Sequence, residues 1–192
     1  MKLFLRNWER FVRPSAFFLA ALFYEELFLK LFCFHRLTLS GVCFTLLFTL
    51  PAAMLLGLLC GGLSPRYGRV CFVGCTALLS LWLGAQTVYF SLFKTYLSLF
   101  SVTKLGMVAG AFGDMAVGEI LMNWFPVVMM AVPVVLSLLW APRLIAGGQL
   151  PPKAHRRWAL CCLGSQLAAV VLVLLSGGGV LSLRYLYIHA AA

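Results

Sequence analysis

Residues 40–62, SGVCFTLLFTLPAAMLLGLLCGG, run for 23 positions without a single charged side chain. As a helix rising about 1.5 Å per residue, this stretch is long enough to cross the roughly 30 Å hydrocarbon core of a bilayer. Pro51 inside it predicts a kink, and Gly57, Gly61 and Gly62 allow another helix to approach closely near its end. A segment this apolar has no place in a small water-soluble domain, so it decides the class of fold.

Similar runs recur on either side of it. The spacing predicts spans at residues 14–34, 40–62, 70–92, 125–144 and 158–183. Composition agrees: 63% of the chain is hydrophobic and only 10% charged. The expected fold is an all-α integral membrane protein with five transmembrane helices in one domain, residues 1–185, and a C-terminal stub at 186–192. A signal peptide would also begin with a basic stretch such as MKLFLRNWERFVR, but no small-residue cleavage site follows. The first hydrophobic run is therefore read as a retained span.

The formal charge of +10 would suit nucleic acid if its carriers were gathered in a patch. They sit instead at the ends of apolar runs, which excludes that reading and points to membrane topology. Lys2, Arg6, Arg10 and Arg13, then Arg66 and Arg69, then Arg143, Lys153, Arg156 and Arg157 fall on one side, ten in all. Arg36, Lys94, Lys104 and Arg184 fall on the other. The positive-inside rule then predicts a multi-pass protein of the cell membrane with its N-terminus cytoplasmic and its C-terminus extracellular.

Two places carry polar chemistry. The first span holds Glu25, Glu26 and Lys30. A charge at the bilayer centre costs roughly 2.5–3.5 kcal/mol on insertion scales, so partners are expected. Glu26 and Lys30 stand i, i+4 with the acid first and can pair on one face. Glu25 points about 100° away and needs another partner or a water-filled cavity. The trio reads either as an ion pair that fixes helix packing or as a site for a polar substrate or lipid headgroup.

The second place is the stretch from Gln86 to Glu119, QTVYFSLFKTYLSLFSVTKLGMVAGAFGDMAVGE. On a helix, Ser91, Lys94, Thr95, Ser98 and Ser101 fall on one narrow arc against a broad apolar face. That pattern predicts an amphipathic interfacial helix on the extracellular side, within residues 89–119, between spans three and four. Lys94 and Lys104 would meet an anionic headgroup, with Tyr89 and Tyr96 as anchors and Asp114 and Glu119 in the glycine-rich return. A solvated interfacial segment without chemistry is the plainer alternative.

Catalytic signatures are missing from the sequence. There is no GxSxG, HExxH, P-loop or dinucleotide fingerprint. The seven cysteines show no CxxC and no zinc spacing with histidine, and read as small hydrophobes within the spans. No catalytic residue, metal ligand or cofactor is expected in this chain.

The layout, together with FYEELFLKLF in the first span and VYFSLFKTYLSLFSVTKLG after the third, resembles the N-terminal membrane domain of the lipoteichoic acid synthase family. These are sulfatase-like phosphoglycerol transferases of Gram-positive cell walls. The resemblance runs from about residue 14 to 185. It implies a membrane anchor that presents lipid to an extracellular domain of the alkaline phosphatase and sulfatase type. In that domain a metal-assisted Thr nucleophile moves glycerol phosphate from phosphatidylglycerol to a growing polymer. That domain would begin where this chain stops, at Ala192, and neither its Thr nor its divalent-metal ligands have a counterpart here. The resemblance therefore implies, as partners, the lipid bilayer with phosphatidylglycerol and a sulfatase-type catalytic domain or separate chain. A small multi-span transporter or channel subunit is the rival expectation, since charges within a span and kinked helices belong there too. A purely structural membrane protein without substrate is the third.

Overall fold

Thr38 sets the start of the second helix. Its side chain accepts a hydrogen bond from the Gly41 backbone N–H at 3.2 Å, satisfying one of the donors that a helix start leaves open. The computed structural model describes residues 2–34, 38–95, 97, 117–118, 120–122, 124–145 and 152–175. Among these, five long helices follow one another and no strand occurs: α1 Lys2–Phe34, α2 Leu39–Gly62, α3 Pro65–Phe93, α4 Trp124–Leu144 and α5 Pro152–Leu175.

Among the described residues, three stretches are long and apolar enough to cross a membrane: Gly41–Gly62 of α2, Pro65–Phe93 of α3 and Trp124–Leu144 of α4. The bounds of α2 and α4 fall within a residue of those expected from sequence. The starts of the other three do not. α1 passes through Pro14 without ending, although Pro14 was expected in its first turn. The preceding residues hold the helix together: Glu9 and Arg13 pair at 3.3 Å one turn apart, and the Phe11 ring stacks on Trp158 of α5 at 4.3 Å. α3 begins at Pro65, not Val70, because Pro at the first helical position lacks only an N–H that would be unpaired anyway. The SPRYGR segment is thus mostly helix, and α2 and α3 are joined by Leu63 and Ser64 alone. α5 likewise begins at Pro152, six residues before the expected Trp158.

Close approach organises the bundle. α1 and α2 run antiparallel in contact, and a Cβ at Gly57 would lie 2.8 Å from the Ser15 backbone nitrogen and collide with its Oγ. A Cβ at Gly68 would meet the Cys60 carbonyl oxygen at 2.8 Å, and one at Gly62 the His155 ring at 2.7 Å. Apolar lipid offers no hydrophobic drive for helices to associate, so small residues that let backbones meet are what packing rests on. The main core joins α1, α2, α3 and α4 through Phe17, Phe18, Ala21, Leu22, Ala53, Cys60, Phe72, Ala141 and Ile145. Phe72 sits against both Phe17 and Phe18, with ring centroids at 4.9 and 5.0 Å. The sulfurs of Cys60, Cys71 and Cys75 lie within this core at 3.9 and 3.8 Å from one to the next, all as free thiols.

The third helix ends differently from the expectation. The amphipathic helix predicted across Ser91, Lys94, Thr95, Ser98 and Ser101 does not run through Lys94. Lys94 adopts the left-handed conformation (φ 55°), and its N–H closes the last turn onto the Phe90 carbonyl at 2.8 Å. Gln86, one-tenth exposed on α3, then holds Leu97 by both backbone groups: its Nε2 donates to the Leu97 carbonyl at 3.1 Å, and the Leu97 N–H donates to its Oε1 at 2.9 Å. Gln86 lies seven residues before the end of α3, about 10 Å down the axis. The chain after Lys94 therefore turns back alongside α3. Residues 98–116 and 119, and with them most of the expected interfacial segment, lie outside the described residues, as does the stub at 186–192.

Candidate functional site

α1 carries its three ionisable residues in two directions. Glu25 faces the bundle core, 1% exposed, and accepts a hydrogen bond from the Ser80 hydroxyl of α3. One position before it, Tyr24 reaches α4, its hydroxyl donating to the Met129 carbonyl at 3.2 Å. Glu25 thus sits in a seam of polar side chains along α3 that includes Thr76, Ser80 and Thr87, all buried. Thr76 and Thr87 bond back to carbonyls of their own helix, at Phe72 and Leu83.

Glu26 and Lys30 face α2 instead. The carboxylate and ammonium stand 3.9 Å apart, both about one-third exposed, and Lys30 Nζ also donates to the Thr45 hydroxyl of α2. Around them lies a cleft of about 350 Å³ lined by Leu22, Glu26, Lys30, Phe44, Thr45, Phe48, Thr49 and Ala52. Thr49 donates its hydroxyl to the Thr45 carbonyl at 2.9 Å, so the lone pairs of its oxygen remain for a ligand. Phe44, Phe48 and Ala52 are exposed, which opens the cleft on the surface between α1 and α2.

The expected site is therefore not one constellation. Glu26 and Lys30 come together, and Glu25 is separated from them by the body of α1. Tyr89 lies within α3, its ring 4.6 Å from Phe93, and Lys94 is exposed just beyond the helix end. Tyr96, Lys104, Asp114 and Glu119 lie outside the described residues. Reading the sequence missed Ser80, Thr45 and Thr49. A threonine every fourth residue on α2 was the available signal, since i, i+4 positions share a face. Among the described residues, no group of three or more His, Cys, Asp or Glu is placed to hold a metal.

Comparison with models of known protein families, with curated proteins and with solved structures found no match. Geometry and chemistry alone bear on function.

Proposed function

We propose that this chain is the membrane anchor and lipid-presenting domain of a lipoteichoic acid synthase-like phosphoglycerol transferase, with catalysis supplied by a sulfatase-type domain or chain. The observation that carries the reading is the Glu26–Lys30 pair in a cleft that opens sideways on an apolar helical surface. An ionisable pair kept at membrane depth is costly, and a cleft beside it gives that cost a use. α1 and α5 complete a five-span bundle. In support, α1 lies against α2 from Ser15–Gly57 at one end to Lys30–Thr45 at the other, and α5 packs on α2 through Leu58 and Cys162. The basic ends of the helices face the cytoplasm and the end of α3 at Lys94 faces outside.

In this arrangement an outer-leaflet lipid such as phosphatidylglycerol enters between α1 and α2, and Lys94 with the segment after it forms the floor beneath the catalytic domain. The test joins the chain to such a domain and measures glycerol-phosphate polymer in cells. Glu26→Gln is expected to lower synthesis at unchanged protein level. Unchanged synthesis in both Glu25→Gln and Glu26→Gln would leave only packing for these residues.

A further inference from the structure

We infer that Tyr24 of α1 is the latch on a proline hinge in α4, and that its release lets residues 124–132 swing aside and open the buried Glu25 carboxyl to water. The juxtaposition that decides this is a tyrosine hydroxyl on the α4 carbonyl that Pro133 leaves without its helical donor.

In an α-helix the carbonyl of one residue accepts from the N–H four residues on. Four residues after Met129 stands Pro133, which has no N–H to give. The Met129 carbonyl is therefore orphaned inside an apolar helix, where a lost hydrogen bond has no water to replace it. Tyr24 supplies the missing donor from the neighbouring helix at 3.2 Å. Four residues beyond the proline, Ser137 is fully buried and donates to the Val134 carbonyl at 2.7 Å, a local bond that also favours a bend. α4 thus has a weak point near its middle, and the bond that closes it comes from α1.

The two halves of α4 are held differently. Beyond the proline, Ala141 and, just past the helix end, Ile145 are built into the main core with Phe17, Phe18 and Phe72. Before it, Met130 belongs to a separate cluster with Leu29 of α1 and Leu83 of α3, while Trp124 and Phe125 are exposed. A swing about Pro133 therefore parts the small cluster and leaves the main core in place. Leu29 stands one turn after Glu25 on α1, and Leu83 almost one turn after Ser80 on α3. That cluster accordingly lies over the Glu25–Ser80 hydrogen bond on the side toward Lys94, and Met130 is the part of the cover that α4 carries. While Tyr24 holds the adjacent Met129 carbonyl, Met130 stays in place and Glu25 is 1% exposed. Once that bond breaks, residues 124–132 are free to leave with Met130, and the carboxyl can exchange its proton with the Lys94 side alone. The device works whatever the α1–α2 cleft binds, since Glu26 and Lys30 face α2.

The test uses the full chain in detergent, with the seven native cysteines replaced by alanine or serine. One thiol is then placed either in the cover, by Leu83→Cys, or in the main core, by Ala141→Cys. The rate of reaction with a sulfonated, water-soluble maleimide reads how often water reaches each position. Tyr24→Phe keeps the ring and removes the hydroxyl. It is expected to raise the rate at position 83 by roughly three- to tenfold, the worth of one such bond between membrane helices, with little change at 141. Pro133→Ala restores an N–H to the Met129 carbonyl, so in that background Tyr24→Phe is expected to leave the rate at position 83 unchanged. An unchanged rate in Tyr24→Phe alone overturns the latch. An increase that persists in Pro133→Ala overturns the hinge, because the hydroxyl would then matter for a reason other than the missing N–H. An equal increase at position 141 overturns it as well, since it reports loosening of the whole bundle.

Discussion

At the residue scale, Glu25 is the group whose surroundings constrain it most. Its carboxyl is sealed in the core with one hydroxyl donor, Ser80, so the two form a unit that is costly to break and cheap to replace. Ser80→Ala leaves the carboxyl without its partner and is expected to destabilise the bundle by about 1–3 kcal/mol. The double variant Glu25→Leu with Ser80→Ala removes both polar groups and is expected to recover much of that loss. Thermal unfolding in detergent checks the pair, and a double variant no more stable than Ser80→Ala would contradict it. Gly57 is constrained by space. Because a Cβ there meets backbone as well as side chain of Ser15, Gly57→Ala must push α1 and α2 apart, with an expected cost of about 1–3 kcal/mol in the same measurement. Gly74, where a Cβ would meet nothing within 4 Å, is the matched control and should tolerate alanine.

At the scale of elements, the end of α3 is where side-chain chemistry replaces helical geometry. Gln86 gives Leu97 the donor and acceptor that a neighbouring strand would give, which lets non-helical backbone lie against α3 with its polar groups satisfied. Gln86→Leu is expected to expose the Leu97 N–H, seen as faster amide hydrogen exchange there with little change at the middle of α3. Unchanged exchange would mean that the segment is held by other contacts. The most apolar helices were legible in the sequence: α2 and α4 needed only hydropathy and length, and their bounds follow. Helices that continue past the apolar run were not, because a reading by hydropathy stops where basic residues cluster. Arg66, Arg69, Lys153, Arg156 and Arg157 all stand on helical turns, where long basic side chains keep their heads in water and their stems on apolar surface. The site divides in the same way. Glu26 and Lys30 pair within one helix at a spacing the sequence displays, whereas Thr45 meets Lys30 from 15 residues away and Ser80 meets Glu25 from 55, with no pattern linking them. Gln86, one polar residue in an apolar run, gave no sign of its partner eleven residues on.

At the scale of the molecule, the contacts between helix ends gather the basic residues at one pole. Gly62 meets His155, Gly68 meets Ile145 and Phe11 meets Trp158, so the start of α3, the end of α4, the start of α5 and the early turns of α1 share one end of the bundle. Arg13, Arg66, Arg69, Arg143, Lys153, Arg156 and Arg157 are all exposed there. At the opposite pole the described residues expose Lys94. An asymmetry of that size across short connections is what sets orientation during insertion, and the orientation proposed above therefore has the Tyr67 end in the cytoplasm and the Thr95 end outside. Both residues are exposed, so each reports its own side. With the seven native cysteines replaced by alanine or serine, Thr95→Cys is expected to react with a membrane-impermeant maleimide on intact cells. Tyr67→Cys should react only after lysis. The reverse pattern would turn the bundle over and put the α1–α2 cleft in the inner leaflet, away from any extracellular domain. Labelling of both positions on intact cells would show that the two ends do not lie on opposite sides of a sealed membrane, and would remove the anchor reading with it.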